Sequence, residues 1–136
     1  RLGDAPRPAW TDKAVLPGGD LPTGTNTRDA RATPTARMKM FVGSLHARYP
    51  FLPFDQIDRL AYTYGTGALL ILDGAASITD LGRDFGGGLT AREVDYLVAH
   101  EWAREPDDIL FRRTRLGMVE GLVDREALAG YLEVAK

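Results

Sequence analysis

An all-α fold, a small bundle of about five or six helices behind an extended N-terminal arm, is predicted by three observations. Apolar residues recur at helical spacing from Met38 onward. Helix-start chemistry stands ahead of several of these runs. The only segment that could be a buried strand, Ala68–Leu72, has no second strand to pair with.

Residues 1–33 read as the arm, an inter-domain connector without helical or strand periodicity. Pro6, Pro8, Pro17 and Pro22 fall here, with Gly18-Gly19 and Gly24; neither residue type supports a regular element. Pro17-Gly18-Gly19-Asp20 is a turn signal. Trp10, Val15 and Leu16 are apolar anchors expected to touch another surface, inside or outside this chain. A stretch this long without structure is unusual inside a compact domain, which favours a connector.

Residues 34–136 read as the helical cap domain. Thr33-Pro34 supplies an N-cap and a first-position proline. Met38, Phe41, Val42, Leu45 and Tyr49 then line one face until Pro50. Phe54 to Tyr64 forms a second helix, with Phe54, Ile57, Leu60, Ala61 and Tyr64 on one side and Gly65 as C-cap. Ala68–Leu72 is read as a short helix, and 76–81 as one more helical turn. Thr90-Ala91-Arg92-Glu93 reads as a capping box, with Val94, Leu97, Val98 and Trp102 as the buried stripe of a helix stopping near Arg104. Asp107-Asp108 opens the next helix and Arg112, Arg113 and Arg115 close it, in the sense the helix dipole favours. Asp124 caps a last helix carrying Leu128, Tyr131 and Leu132.

Composition narrows the chemistry. With 136 residues the chain is one domain. It has no cysteine, so disulfides, thiolate metal sites and a cysteine nucleophile are excluded. A net charge of −2 gives no bulk attraction for nucleic acid. The helix ending Arg112-Arg113-Thr114-Arg115 faintly resembles a DNA-reading helix, but its leading end is Asp107-Asp108, which repels phosphate. No apolar run approaches the roughly 18 residues of a membrane span.

Site motifs are sparse. His46 and His100 are the only histidines, and His100-Glu101 lacks the second histidine of a zinc helix. Gly86-Gly87-Gly88 precedes a helix but lacks the Walker lysine and the G-x-G-x-x-G spacing, so a flexible loop is the better reading. Ser44 and Ser77 have no histidine–acid partners in sequence. No catalytic, cofactor-binding or metal-binding residue is assigned.

One charge pair follows from periodicity. With Val94 at zero, Leu97 lies at about −60°, Val98 at about +40° and Glu101 at about −20°, the middle of the apolar stripe. Arg113 lies on the apolar side of the next helix, beyond the short Glu105-Pro106 connection. The expectation is a largely buried Glu101–Arg113 ion pair, with Arg112, one turn from Asp108, as second choice. Exposure of Glu101 at the helix end is the alternative. A buried pair makes Glu101→Ala cost about 3–5 kcal/mol.

Several runs carry a resemblance. They are Pro8-Ala9-Trp10-Thr11 with Val15-Leu16-Pro17-Gly18-Gly19, Arg48–Leu52 with Tyr64-Gly65, and Asp80–Gly86. The most specific is Glu93, Tyr96–Val98, His100–Ala103, Asp108, Leu110 and Arg112–Met118. Together they resemble the C-terminal domain of bacterial FAD-dependent, respiratory glycerol-3-phosphate dehydrogenases across nearly the whole chain. Residues 23–37 carry no signature of that family. The resemblance implies a parent that oxidises sn-glycerol 3-phosphate to dihydroxyacetone phosphate, passing hydride to FAD and electrons to quinone. That parent is peripheral on the cytoplasmic side of the inner membrane. It also implies that the FAD and substrate groups lie N-terminal to these residues, so no cofactor is expected here. The expected partner is the FAD/substrate domain of the same chain, and a homo-oligomer is left open. The alternative is a free-standing helical protein-binding module; a first residue other than Met favours the accessory domain.

Overall fold

In a computed structural model the described residues are 14, 16, 18–21 and 33–135. They form five α-helices and shorter turns, with no named β-strand among them: α1 (Pro34–Arg48), α2 (Phe54–Tyr64), α3 (Gly67–Leu72), α4 (Ala91–Glu101) and α5 (Arg125–Ala135). Trp10 and Val15 lie outside the described residues.

The helix starts follow the local chemistry. The Thr33 hydroxyl accepts from the Ala36 N–H at 3.2 Å, with Pro34 opening α1. At α5, Asp124 accepts from the Ala127 N–H at 2.9 Å. The expected Thr90–Glu93 capping box does not form: Thr90 makes no side-chain cap bond. Glu93 is instead held in the core by Arg59 and Tyr64 of α2, described below. Asp80 takes up such a role elsewhere, accepting from the Ala76 and Ser77 N–H groups ahead of the 3₁₀ turn Ile78–Leu81. The Ala76 N–H, then the Ser77 side chain and the Ser77 N–H, hold its carboxyl below the ordinary 3.8.

The core runs from α1 to α5. Phe41 and Leu45 meet Ile57, Leu60 and Ala61, then Ala68, Ile71 and Leu72, then Val94 and Leu97, with Leu128 and Leu132 closing it. Loop 82–90 plugs one end with Phe85 and Leu89, both buried. Its Phe85 carbonyl accepts from the Asp124 N–H at 2.7 Å and so positions α5. Tyr131 of α5 reaches Asp95 of α4 at 2.9 Å.

Two expectations near α4 are corrected. The helix stops at Glu101, and Trp102, expected on the buried stripe, is 81% exposed. It is the C-cap, in the left-handed region at φ 56°, a place usually taken by glycine. That conformation turns the chain away before Trp102 can complete the stripe. The following helix is a π-turn, Asp108–Arg113. The Thr114 N–H and hydroxyl both donate to the Ile109 carbonyl, at 2.9 and 2.8 Å, closing a wider ring than an α-turn.

The segment around Gly18 is held against the α2–α3 junction. The Thr66 N–H donates to the Gly18 carbonyl at 3.2 Å, and the Thr66 hydroxyl donates to Asp20. Gly18 and Gly65, both at positive φ, lie back to back so closely that a Cβ on either would collide with the other strand of backbone.

Candidate functional site

The most concentrated chemistry lies between α2, α4 and the glycine loop. Arg59 of α2 grips Glu93 of α4 with both ends of its fork, Nη1–Oε1 at 2.6 Å and Nη2–Oε2 at 2.7 Å. The Tyr64 hydroxyl donates to Glu93 Oε1 at 2.7 Å. Arg59 Nη2 and Gln56 Nε2 both donate to the Gly88 carbonyl, at 3.0 and 2.9 Å. The Glu93 side chain is wholly buried and that of Arg59 is 16% exposed.

Electrostatics follow from that burial. Burial works against the Arg59 charge, but the Glu93 carboxylate outweighs it and raises the Arg59 pKa above its already high value. Burial pushes the Tyr64 hydroxyl well above 10.0, and the neighbouring Glu93 carboxylate pushes it further. Three donors converge on the Glu93 carboxylate, so it is not offered to a substrate. The arrangement clamps two helices and a loop together.

The glycine loop does not fit a dinucleotide phosphate. Gly88 turns a carbonyl, not an N–H, toward the arginine. The Gly86 N–H is taken by Asp84 at 2.7 Å. The space beside Gly86 is filled by the Leu122 backbone, and that beside Gly87 by the Leu122 side chain.

The predicted Glu101–Arg113 pair is present but not buried. Arg113 Nη1 lies 3.5 Å from Glu101 Oε2, with side chains 43% and 38% exposed respectively. The expected burial is therefore corrected: α4 ends at Glu101, so the stripe position lies where the helix leaves the core. Arg113 Nη2 also donates to the Glu101 carbonyl at 2.9 Å, a C-terminal helix cap. Arg112 pairs locally with Asp108 at 2.8 Å. Asp108 also accepts from the Arg104 and Glu105 N–H groups, which hold its carboxyl below 3.8.

The two histidines lie on different helices and meet different partners. His46 meets Asp58 at 2.9 Å and stacks on Phe54, while His100 stacks on Tyr96 with ring centres 4.9 Å apart. Among the described residues no group of three or more His, Asp or Glu could hold a metal. No described helix is long and apolar enough to cross a membrane. Leu16, the described member of the three predicted contact residues, is 78% exposed and borders an open groove of ≈ 760 Å³. That groove lies between residues 16, 18 and 20, α3 and the C-terminal half of α4.

Arg59 and Tyr64 were not legible as site residues. Tyr64 reads as an apolar-face residue, Glu93 as a cap, and Arg59 is 34 residues from its partner. The one usable signal was the glutamate immediately before Val94 on a helix with a buried stripe.

Fold and site together define a helical packing domain, whose densest polar cluster joins its own elements. The chain belongs to the family described as the C-terminal domain of alpha-glycerophosphate oxidase, matched over residues 9–136. It is 40% identical over 126 residues to a glycerol-3-phosphate dehydrogenase of Pseudomonas aeruginosa, covering 93% of this chain and 22% of that protein. It is 41% identical over 111 residues to the aerobic glycerol-3-phosphate dehydrogenase of Escherichia coli, covering 82% of this chain and 20% of that one. With D-erythritol 1-phosphate dehydrogenase of Brucella abortus it shares 36% over 106 residues, 78% of this chain and 19% of that protein. The chain thus spans about a fifth of the length of these relatives.

Proposed function

We propose that this chain serves as the C-terminal accessory domain of an FAD-dependent glycerol-3-phosphate dehydrogenase. The observation that carries the reading is the match to a C-terminal family over residues 9–136 against about a fifth of each relative. The parent oxidises sn-glycerol 3-phosphate to dihydroxyacetone phosphate, with FAD taking the hydride and quinone the electrons. It sits peripherally on the cytoplasmic face of the inner membrane. The domain's partner is the FAD/substrate domain of the same chain, and its work is inter-domain or subunit contact. A filled glycine loop and a saturated Glu93 support a supporting role over a chemical one. Relatives named for two different polyol phosphates share this domain, which supports a task common to both over substrate choice.

The test is direct. The purified 136-residue chain is titrated with FAD and followed by visible absorbance, then assayed for dye reduction with glycerol 3-phosphate. Neither a bound-flavin spectrum nor turnover above buffer is expected. Either signal would overturn the reading.

A further inference from the structure

The proposed function leaves the domain with several faces, and the connector selects one of them. Residues 16, 18 and 20 border the groove against α3 and α4, whereas another open groove is lined by Asp58, Arg59, Tyr62, Thr63 and residues 113–115 without them. The connector's position here is fixed by the Gly18–Thr66 bond and the Gly18–Gly65 contact. The family match begins at residue 9. The five steps from there to Ala14 reach at most about 18 Å when fully extended. Whatever precedes residue 9 therefore joins within about 18 Å of Ala14, two positions from groove-lining Leu16.

The groove's rim is apolar. Leu16 and Leu70 are 78% and 60% exposed, and Tyr96 and His100 stack along its wall. Trp102, the residue after groove-lining Glu101, is held outward by its left-handed backbone. Exposed aromatic and aliphatic side chains gathered at one place mark a contact surface. Of the acidic groups in the lining, Glu101 pairs with Arg113 and Asp20 accepts a hydrogen bond from the Thr66 hydroxyl.

We infer that the groove bounded by Leu16, Leu70 and His100 is the seat of the catalytic body that precedes this domain in the longer enzyme. This rests on the accessory-domain reading and adds the docking face. Apolar residues of the body cover Leu16 and Leu70, and the short tether holds them there at high effective concentration.

The experiment uses the full-length enzyme. Leu70, Met118 or Val134 is replaced, one at a time, by photo-reactive benzoylphenylalanine, and cross-linked peptides are mapped by mass spectrometry after irradiation. Position 70 is expected to link to residues preceding the domain in the same chain, at least tenfold more than position 134. Links to the body from position 118 or 134 instead would sink this docking face while leaving the accessory-domain reading intact. Links from position 70 to a second copy of the chain would assign the groove to an oligomer and overturn the inference. Absence of any link to the body from all three positions would overturn both.

Discussion

Each end of α4 carries a glutamate that meets an arginine, and the two pairs contrast sharply. At the first turn, Glu93 is wholly buried and receives three side-chain donors from α2. At the last residue, Glu101 is more than one-third exposed, and Arg113 approaches it at 3.5 Å while capping its carbonyl. The same two residue types thus fasten a core at one end and trim a helix terminus at the other. What differs is access to water. A buried carboxylate needs every lone pair answered, whereas an exposed one lets solvent do most of that.

Breaking the buried pair should have the largest effect. Glu93→Ala strands Arg59 in a largely buried position and should lower stability by about 3–5 kcal/mol. Urea denaturation of the variant checks it. A loss under about 1 kcal/mol would mean that Arg59 escapes to solvent and that the two ends of α4 are alike.

Tyr64→Phe sharpens the contrast through pH. It removes one hydrogen bond to a charged acceptor, worth about 1.5–3 kcal/mol. The Tyr64 hydroxyl is raised well above 10.0, first by burial and then by Glu93. Its stabilising contribution is therefore complete below pH 10 and is lost as pH rises beyond that. The unfolded chain releases a proton that the folded chain keeps. Melting temperature should fall above pH 10 in the parent sequence, and less steeply in Tyr64→Phe. Equal slopes would remove Tyr64 from the account, since Tyr96 and Tyr131 are raised in the same direction.

The smallest effect belongs to the other end. Glu101→Ala should cost less than about 1 kcal/mol, in place of the 3–5 that burial would have implied. Arg113 keeps its bond to the Glu101 carbonyl in that variant, because the acceptor is backbone. A midpoint shift as large as that of Glu93→Ala would erase the distinction.

These pairs also mark how far the sequence could be read. The extents of α1 and α2, the Gly65 cap and the Asp124 cap follow from local signals, and the structure places them there. The neighbours Glu101 and Arg113 were legible because the connection between their elements is short. Their burial was misjudged because a periodic stripe says nothing of where its helix leaves the core. Glu93 was misread for the opposite reason. Its local role as a cap was chemically complete, and nothing in the chain announces a competing arginine 34 positions away. The left-handed turn at Trp102 was invisible as well, since that conformation is usually signalled by glycine.

The back-to-back contact of Gly18 and Gly65 has a consequence in time. A ribosome makes Gly18 47 residues before Gly65, so at roughly 5–20 residues per second the Gly18 segment waits about 2–9 s for its shelf. The α2–α3 junction must emerge before the connector can be seated on it. The bare glycines then act as a late latch, closing two backbones over a junction that did not exist when the first was synthesised.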